Sequence, residues 1–199
     1  MRIWSNILRW LTRSGGNRQS APLNFSVITI KRLYHSMYEI RDAVESDIPG
    51  LLKIRNAIEQ IAEYLAETEN AYMRFLVCLE QQQIIAFSKL YIEPHEHTTN
   101  KTYYPKISDL NVHPEYQGRG IGTFFLQWME AHVKMLGYSR IYLNVDPKEN
   151  VRAMQLYERL GYKALVDTPQ KKEVTWYDRS GNKTQRLIYQ LPMCKFLKK

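Results

Sequence analysis

A glycine-punctuated turn between an apolar strand and an amphipathic helix limits this chain more than any other segment. From Asp109 to Thr123 it reads DLNVHPEYQGRGIGT. Leu110 and Val112 alternate with Asp109, Asn111 and His113, the period of a half-buried strand, and Pro114 ends it. Gly118, Gly120 and Gly122 then precede an amphipathic run from Phe124 to Leu136, which predicts a helix. Glycines let the main chain approach a ligand without a Cβ clash and reach positive φ, so several N–H groups can converge on one phosphate. The helix adds its unpaired N-terminal amides and roughly half a positive charge, a fit for a pyrophosphate. Gly118, Arg119, Gly120, Gly122 and Thr123 are the candidate anion-binding residues, with Arg119 offering a charge-assisted contact of about 1.5–3 kcal/mol. The spacing fits neither a Walker phosphate loop nor the dinucleotide fingerprint. A turn that only permits tight helix–strand packing is the alternative.

A second segment narrows the choice. The strand-like Arg140 to Val145 (RIYLNV) leads through a polar turn, Asp146 to Glu149, into NVRAMQLYERLGYK from Asn150 to Lys163. Val151, Met154, Leu156, Tyr157 and Leu160 have helical periodicity, and Gly161 supplies a left-handed stop. In this order the two segments resemble the GNAT superfamily of acyl-CoA-dependent N-acetyltransferases. The family's Gln/Arg-x-x-Gly-x-Gly/Ala pattern is matched by Gln117, Gly120 and Gly122, and its Asn-x-x-Ala-x-x-Leu-Tyr-x-x-Leu-Gly-Tyr/Phe helix by Asn150, Ala153, Leu156, Tyr157, Leu160, Gly161 and Tyr162. IRDAVESDIPGLLKI, from Ile40 to Ile54, is similar to the family's first strand and helix.

The resemblance implies a single α/β domain whose mixed, mostly antiparallel sheet splays at its centre and carries helices on both faces. It implies acetyl-CoA as co-substrate, held at Gln117, Gly118, Arg119, Gly120, Gly122 and Thr123. It places the oxyanion near a backbone N–H of the strand carrying Asn111 and Val112, and Asn150 at a coenzyme contact or helix cap. Tyr157 takes the role of general acid toward the coenzyme sulfur. Asp109 is the candidate base, or else a structural acid. Glu93, His95, Glu96 and His97 form a second cluster near the acceptor side. No metal site is expected, because no distant Cys or Asp spacing completes the His-Glu-His run.

The acceptor is expected to be a primary amine, of a protein or of a small polyamine-like molecule. An amine with a pKa near 10.4 is neutral in only about one molecule in 2,500 at pH 7, a handicap of roughly 4.6 kcal/mol. The site must therefore see a proton leave before direct attack in a ternary complex, then stabilise an oxyanion and protonate a thiolate. A non-catalytic acyl-CoA sensor is the alternative.

Charge divides the chain into three parts. The first 38 residues hold six basic groups and no acid, residues 163–199 carry +6, and residues 39–162 sum to −4. A mildly acidic motif-bearing part attracts a cationic amine rather than nucleic acid. Residues 1–37 read as a basic extension in which Ile3, Trp4, Ile7, Leu8 and Leu11 form a stripe suited to a membrane surface or a transit peptide, or else as a disordered tail. Residues 38–193 form the domain and 194–199 a basic tail. No apolar run approaches the roughly 20 residues of a membrane span. Cys78 and Cys194 offer no disulfide framework and suit a cytoplasmic protein, with an organelle as the alternative if the leader targets it. A homodimer is compatible with this reading.

Overall fold

Alternation along the strands decides which residues enter the core, and it produces two apolar layers on opposite faces of one sheet. The computed structural model describes residues 38–69, 72–93, 103–177 and 182–197. The strands are β1 Tyr38–Asp42, β2 Met73–Glu80, β3 Gln83–Tyr91, β4 Lys106–Val112, β5 Arg140–Val145, β6 Lys163–Ala164, β7 Gln170–Tyr177 and β8 Lys183–Phe196. The helices are α1 Ile48–Ile54, α2 Ile58–Glu67, α3 Ile121–Met135 and α4 Val151–Arg159.

The continuous apolar run of β2 is buried on both faces, as such runs are in sheets covered twice. Phe75, Val77 and Leu79 point into the layer under α1 and α2, with Leu51, Ile61, Tyr64 and Phe87. Leu76 and Cys78 point into the other layer, with Phe125, Met129 and Val133 of α3, Ile141 and Leu143 of β5, and Tyr157 of α4.

The strand order is β1-β2-β3-β4-β5-β8-β6, with β7 on β8. Every pairing is antiparallel except β4 with β5, so the sheet is mixed and mostly antiparallel with helices on both faces. The parallel ladder holds only at Lys106↔Tyr142 and Ile107↔Leu143. Beyond Ile107 the two strands part, which is the central splay.

Local backbone geometry sets where several elements end. Between Ser46 and Asn70 the helical residues fall into α1 and α2, separated after Ile54, where Arg55 is extended (φ −141°, ψ 115°). The β2–β3 hairpin turns on Gln81 and Gln82, both at positive φ (48° and 69°), the geometry usually given to Asn-Gly. The helix after Asn150 ends at Arg159, Gly161 at φ +90° supplies the expected left-handed stop, and Lys163–Ala164 then pairs with β8. The domain limit expected at residue 193 falls inside β8: Cys194, Lys195 and Phe196 pair with Tyr142, Ile141 and Arg140, since β5 needs a partner along its whole length. Residues 1–37, with the apolar stripe of the leader, lie outside the described residues, as do 94–102, with His95, Glu96 and His97, and 178–181.

Phe75 is fully buried and meets Tyr64 and Phe87 edge-on, at 5.4 and 5.7 Å between ring centroids. Phe75→Ala is therefore expected to lower stability by about 3–5 kcal/mol in urea titration, because the layer beneath α2 cannot collapse onto the gap.

Candidate functional site

The splay opens because β4 carries one residue too many. Against β3, Phe87 faces Asn111 while Lys89 faces Ser108, so two positions on β3 span three on β4. Asp109 takes up the extra length at φ +56°, a left-handed conformation that Asp tolerates better than most residues. Its carboxylate holds the bulge in place. Arg55 donates to it twice, Nη1 to Oδ2 at 2.6 Å and Nη2 to Oδ1 at 2.8 Å. The Tyr64 hydroxyl donates to Oδ2 at 2.6 Å and Asn111 Nδ2 to Oδ1 at 3.0 Å. Arg55 also donates to Asn111 Oδ1 at 3.0 Å and to Gln60 Oε1 at 2.8 Å, with its guanidinium 5.6 Å from the Phe87 ring centroid.

This network fixes the protonation of its members. Burial works against the Asp109 charge, but the adjacent guanidinium and the hydrogen bonds from Arg55, Tyr64 and Asn111 outweigh it and hold the carboxyl below its ordinary range. Burial and the neighbouring Asp109 charge push the Tyr64 phenol well up.

Past Ile107, β4 has no paired strand on its β5 side, and a cavity of about 570 Å³ occupies the gap. Asp109 and Asn111 line it from β4, Asn150, Ala153 and Tyr157 from α4, and Tyr177 from β7. Tyr157 is 9% exposed, and burial, with a contribution from the Asp109 charge, pushes its phenol up to about 12. Such a phenol keeps its proton through the neutral range and remains a donor. The Tyr177 hydroxyl is buried.

The other carboxylates of the cavity wall are engaged. Asp146 accepts from the backbone amides of Lys148, Glu149 and Tyr189 at 3.0, 3.1 and 2.9 Å, and Glu149 pairs with Arg186 at 2.8 Å. Among the described residues no imidazole lines the cavity.

The glycine turn lies beyond the end of β4. Gly118 and Gly120 have φ +78° and +82°, and a Cβ built on either meets nothing within 4 Å. Gly120 is the N-cap of α3 and offers no side chain to the helix. Phe124 is the first residue whose amide bonds back, to Gly120 at 3.0 Å, so the amides of Gly120, Ile121, Gly122 and Thr123 lack helical partners. An open space bordered by these donors and by two left-handed glycines suits a diphosphate. The side chains around it are otherwise occupied. Gln117 Nε2 donates to the Val112 carbonyl at 3.0 Å, and the Arg119 guanidinium sits 4.8 Å from the Tyr116 ring centroid. Val112 pairs with Ala86. Asn150 occupies the N-cap position of α4 but makes no side-chain cap, which leaves its amide group to the cavity it lines.

The fold thus brings Asp109, Asn111, Asn150 and Tyr157 to one cavity, and Gly118 to Thr123 to a cradle next to it. Arg55, Tyr64, Lys106 and Tyr177 join the site without any motif to mark them. Arg55 and Asp109 stand 54 positions apart, and only the unusual arginine at a helix end hints at a distant acid.

The family model described as Acetyltransferase (GNAT) family matches residues 34–162. The aminoalkylphosphonate N-acetyltransferase of Salmonella typhimurium is 25% identical over 138 residues, which cover 69% of this chain and 88% of that protein. The spermidine N-acetyltransferase of Vibrio cholerae, solved with CoA and spermine, superposes with a TM-score of 0.58 at 19% identity, over 80% of this chain and 95% of that one. A Salmonella typhimurium acetyltransferase solved with its cofactor acetyl-CoA gives 0.58 at 16% identity, over 81% and 95%.

Two measurements probe the site. Asp109 is lowered in the folded state, so its stabilisation is present above its ordinary 3.8 and fades as pH falls through the lower folded value. Asp109→Asn should cost roughly 1–3 kcal/mol at neutral pH and flatten the acid side of a stability-against-pH curve from urea midpoints. For the turn, Gly120→Ala should cost about 1–2 kcal/mol for its left-handed φ. Gly122→Ala, whose Cβ would meet Leu156 and Val112 at an ordinary 3.8 and 3.9 Å, should leave the thermal midpoint nearly unchanged.

Proposed function

Since this chain belongs to the Acetyltransferase (GNAT) family, we propose that it transfers an acetyl group from acetyl-CoA to a primary amine by direct attack in a ternary complex. The observation that carries this reading is the juxtaposition of an uncapped helix start with a strand splay that ends at a buried tyrosine. The relatives do not choose the acceptor, since their names give an aminoalkylphosphonate in one case and spermidine in another.

In this reading the amides of Gly120, Ile121, Gly122 and Thr123 hold the coenzyme diphosphate, assisted by Gly118 and, on a side-chain shift, by Arg119 and Gln117. Asn150 contacts the pantetheine arm from the start of α4. The thioester lies in the splay, where the unpaired edge of β4 offers a main-chain N–H beside Asn111, that of Val112, to the developing oxyanion. The amine nitrogen, deprotonated by water, attacks the carbonyl carbon to form the C–N bond. Collapse breaks the C–S bond, and Tyr157 gives its proton to the departing sulfur. The nitrogen's surplus proton returns through water to the phenolate, so the amide and a free thiol leave with every proton accounted for.

Asp109 serves here as the anchor of the bulge and not as the proton acceptor. A carboxylate saturated by a bidentate guanidinium and a phenol makes a weak base. With the carboxylates of the wall engaged, water in the cavity carries the proton away.

Tyr157→Phe should lower kcat by about 10²–10⁴ while leaving acetyl-CoA affinity by calorimetry nearly intact. Because the phenol keeps its proton up to about 12, the wild-type rate should not fall on the alkaline side through Tyr157 at any lower pH. Full activity in the variant, or no thiol release with any amine, would reject the assignment.

A further inference from the structure

Lys106 is the one cation of the cavity wall with no acidic partner among the described residues. Arg55 is matched to Asp109 and Arg186 to Glu149, and both pairs are bidentate or close. Lys106 lines the same cavity and makes no hydrogen bond or ion pair among the described residues. Its neighbours in the fold are cationic or aromatic. It pairs across the ladder with Tyr91, and two residues along β3 on the same face stands Lys89, whose Nζ lies 3.7 Å from the Tyr64 ring centroid and 3.4 Å from Glu67. Burial and the ammonium groups of Lys172 and Lys89 lower the Lys106 pKa, and no carboxylate opposes them.

An ammonium that is partly desolvated, and beside others of its kind, is stabilised by an anion brought to it. Core packing is an insufficient account of it, since a lysine there costs desolvation without a partner. Ile107 points into the layer beneath α3, so by strand alternation Lys106 points to the α2 side, away from the coenzyme cradle. It is therefore placed for the acceptor.

We infer that the acceptor is a small amine carrying an anionic group, which Lys106 binds while the amine lies at the bulge. The inference rests on the acetyltransferase reading above and deepens it. The bulge begins three residues from Lys106, about 10 Å along the strand, and the lysine side chain spans part of that distance. Amine and anion are thus separated by only a few bonds. A polyamine would place a second positive charge against Lys106, which opposes the cationic acceptor expected from the bulk charge of residues 39–162.

Initial rates of thiol release decide the matter with propylamine, 3-aminopropylphosphonate, β-alanine and 1,3-diaminopropane as acceptors. The wild type should favour at least one of the two anionic amines over propylamine by about tenfold or more in kcat/KM, with diaminopropane lowest. Whichever anion leads identifies the headgroup. Lys106→Met should bring the anionic-to-neutral ratio close to one, chiefly through KM, and Lys106→Arg should keep most of it. Preference for the diamine, or a ratio unmoved by Lys106→Met, would overturn the inference. Calorimetry of 3-aminopropylphosphonate and β-alanine on CoA-saturated protein separates this failure from failure of the enzymatic reading. Binding of either that is lost in Lys106→Met, while acetyl-CoA affinity persists, supports the anion site even if no amine is turned over. Absence of binding of both to the wild type counts against it.

Discussion

The salt bridge between Arg55 and Asp109 is the interaction on which the working parts depend. It ties the end of α1 to the bulged residue of β4, on the sheet face that carries Tyr64 and Phe87. A left-handed, non-glycine residue inside a strand persists only when its surroundings over-determine it. Here the four donors to one carboxylate supply that constraint. The bulge redirects β4 away from β5, and the opening that results is the cavity. Backbone strain, ion pair and cavity are three aspects of one arrangement.

The two halves of the site use charge differently. At the start of α3 the positive potential comes from main-chain amides, which cannot titrate and carry no side-chain entropy. Within the splay, fixed side-chain charges are mostly cancelled in pairs, so the one ammonium unmatched among the described residues has more influence than the net charge of the whole segment. Bulk charge sets the long-range field, and the cavity wall sets what is held at contact distance.

Local chemistry was legible in the sequence and long-range chemistry was not. The left-handed glycines, the strand before them and the helix after them follow from residue type and spacing within fifteen positions. The splay, the mostly antiparallel sheet and Tyr157 followed from the family resemblance. By contrast, the role of Asp109 depends on Arg55 and Tyr64, which sit on other elements and show no periodic or motif signal. Lys106 reads as an ordinary strand lysine until the pairing of its neighbours is known. Asn150 looked equally like a cap, and the backbone geometry at the start of α4 leaves it without that bond. The closing strand was underestimated at Cys194 because a run of mixed polarity hides its pairing with β5.

β8 has a consequence for how the molecule is made. Its first half pairs with β7 and its second half with β5 and β6, so a single strand closes both the cavity wall and the sheet. During synthesis β5 emerges well before it, leaving the apolar segment Ile141, Tyr142 and Leu143 with an exposed hydrogen-bonding edge. A nascent chain at that stage is a template for intermolecular strand addition, and the delay before β8 arrives is its period of greatest vulnerability to aggregation.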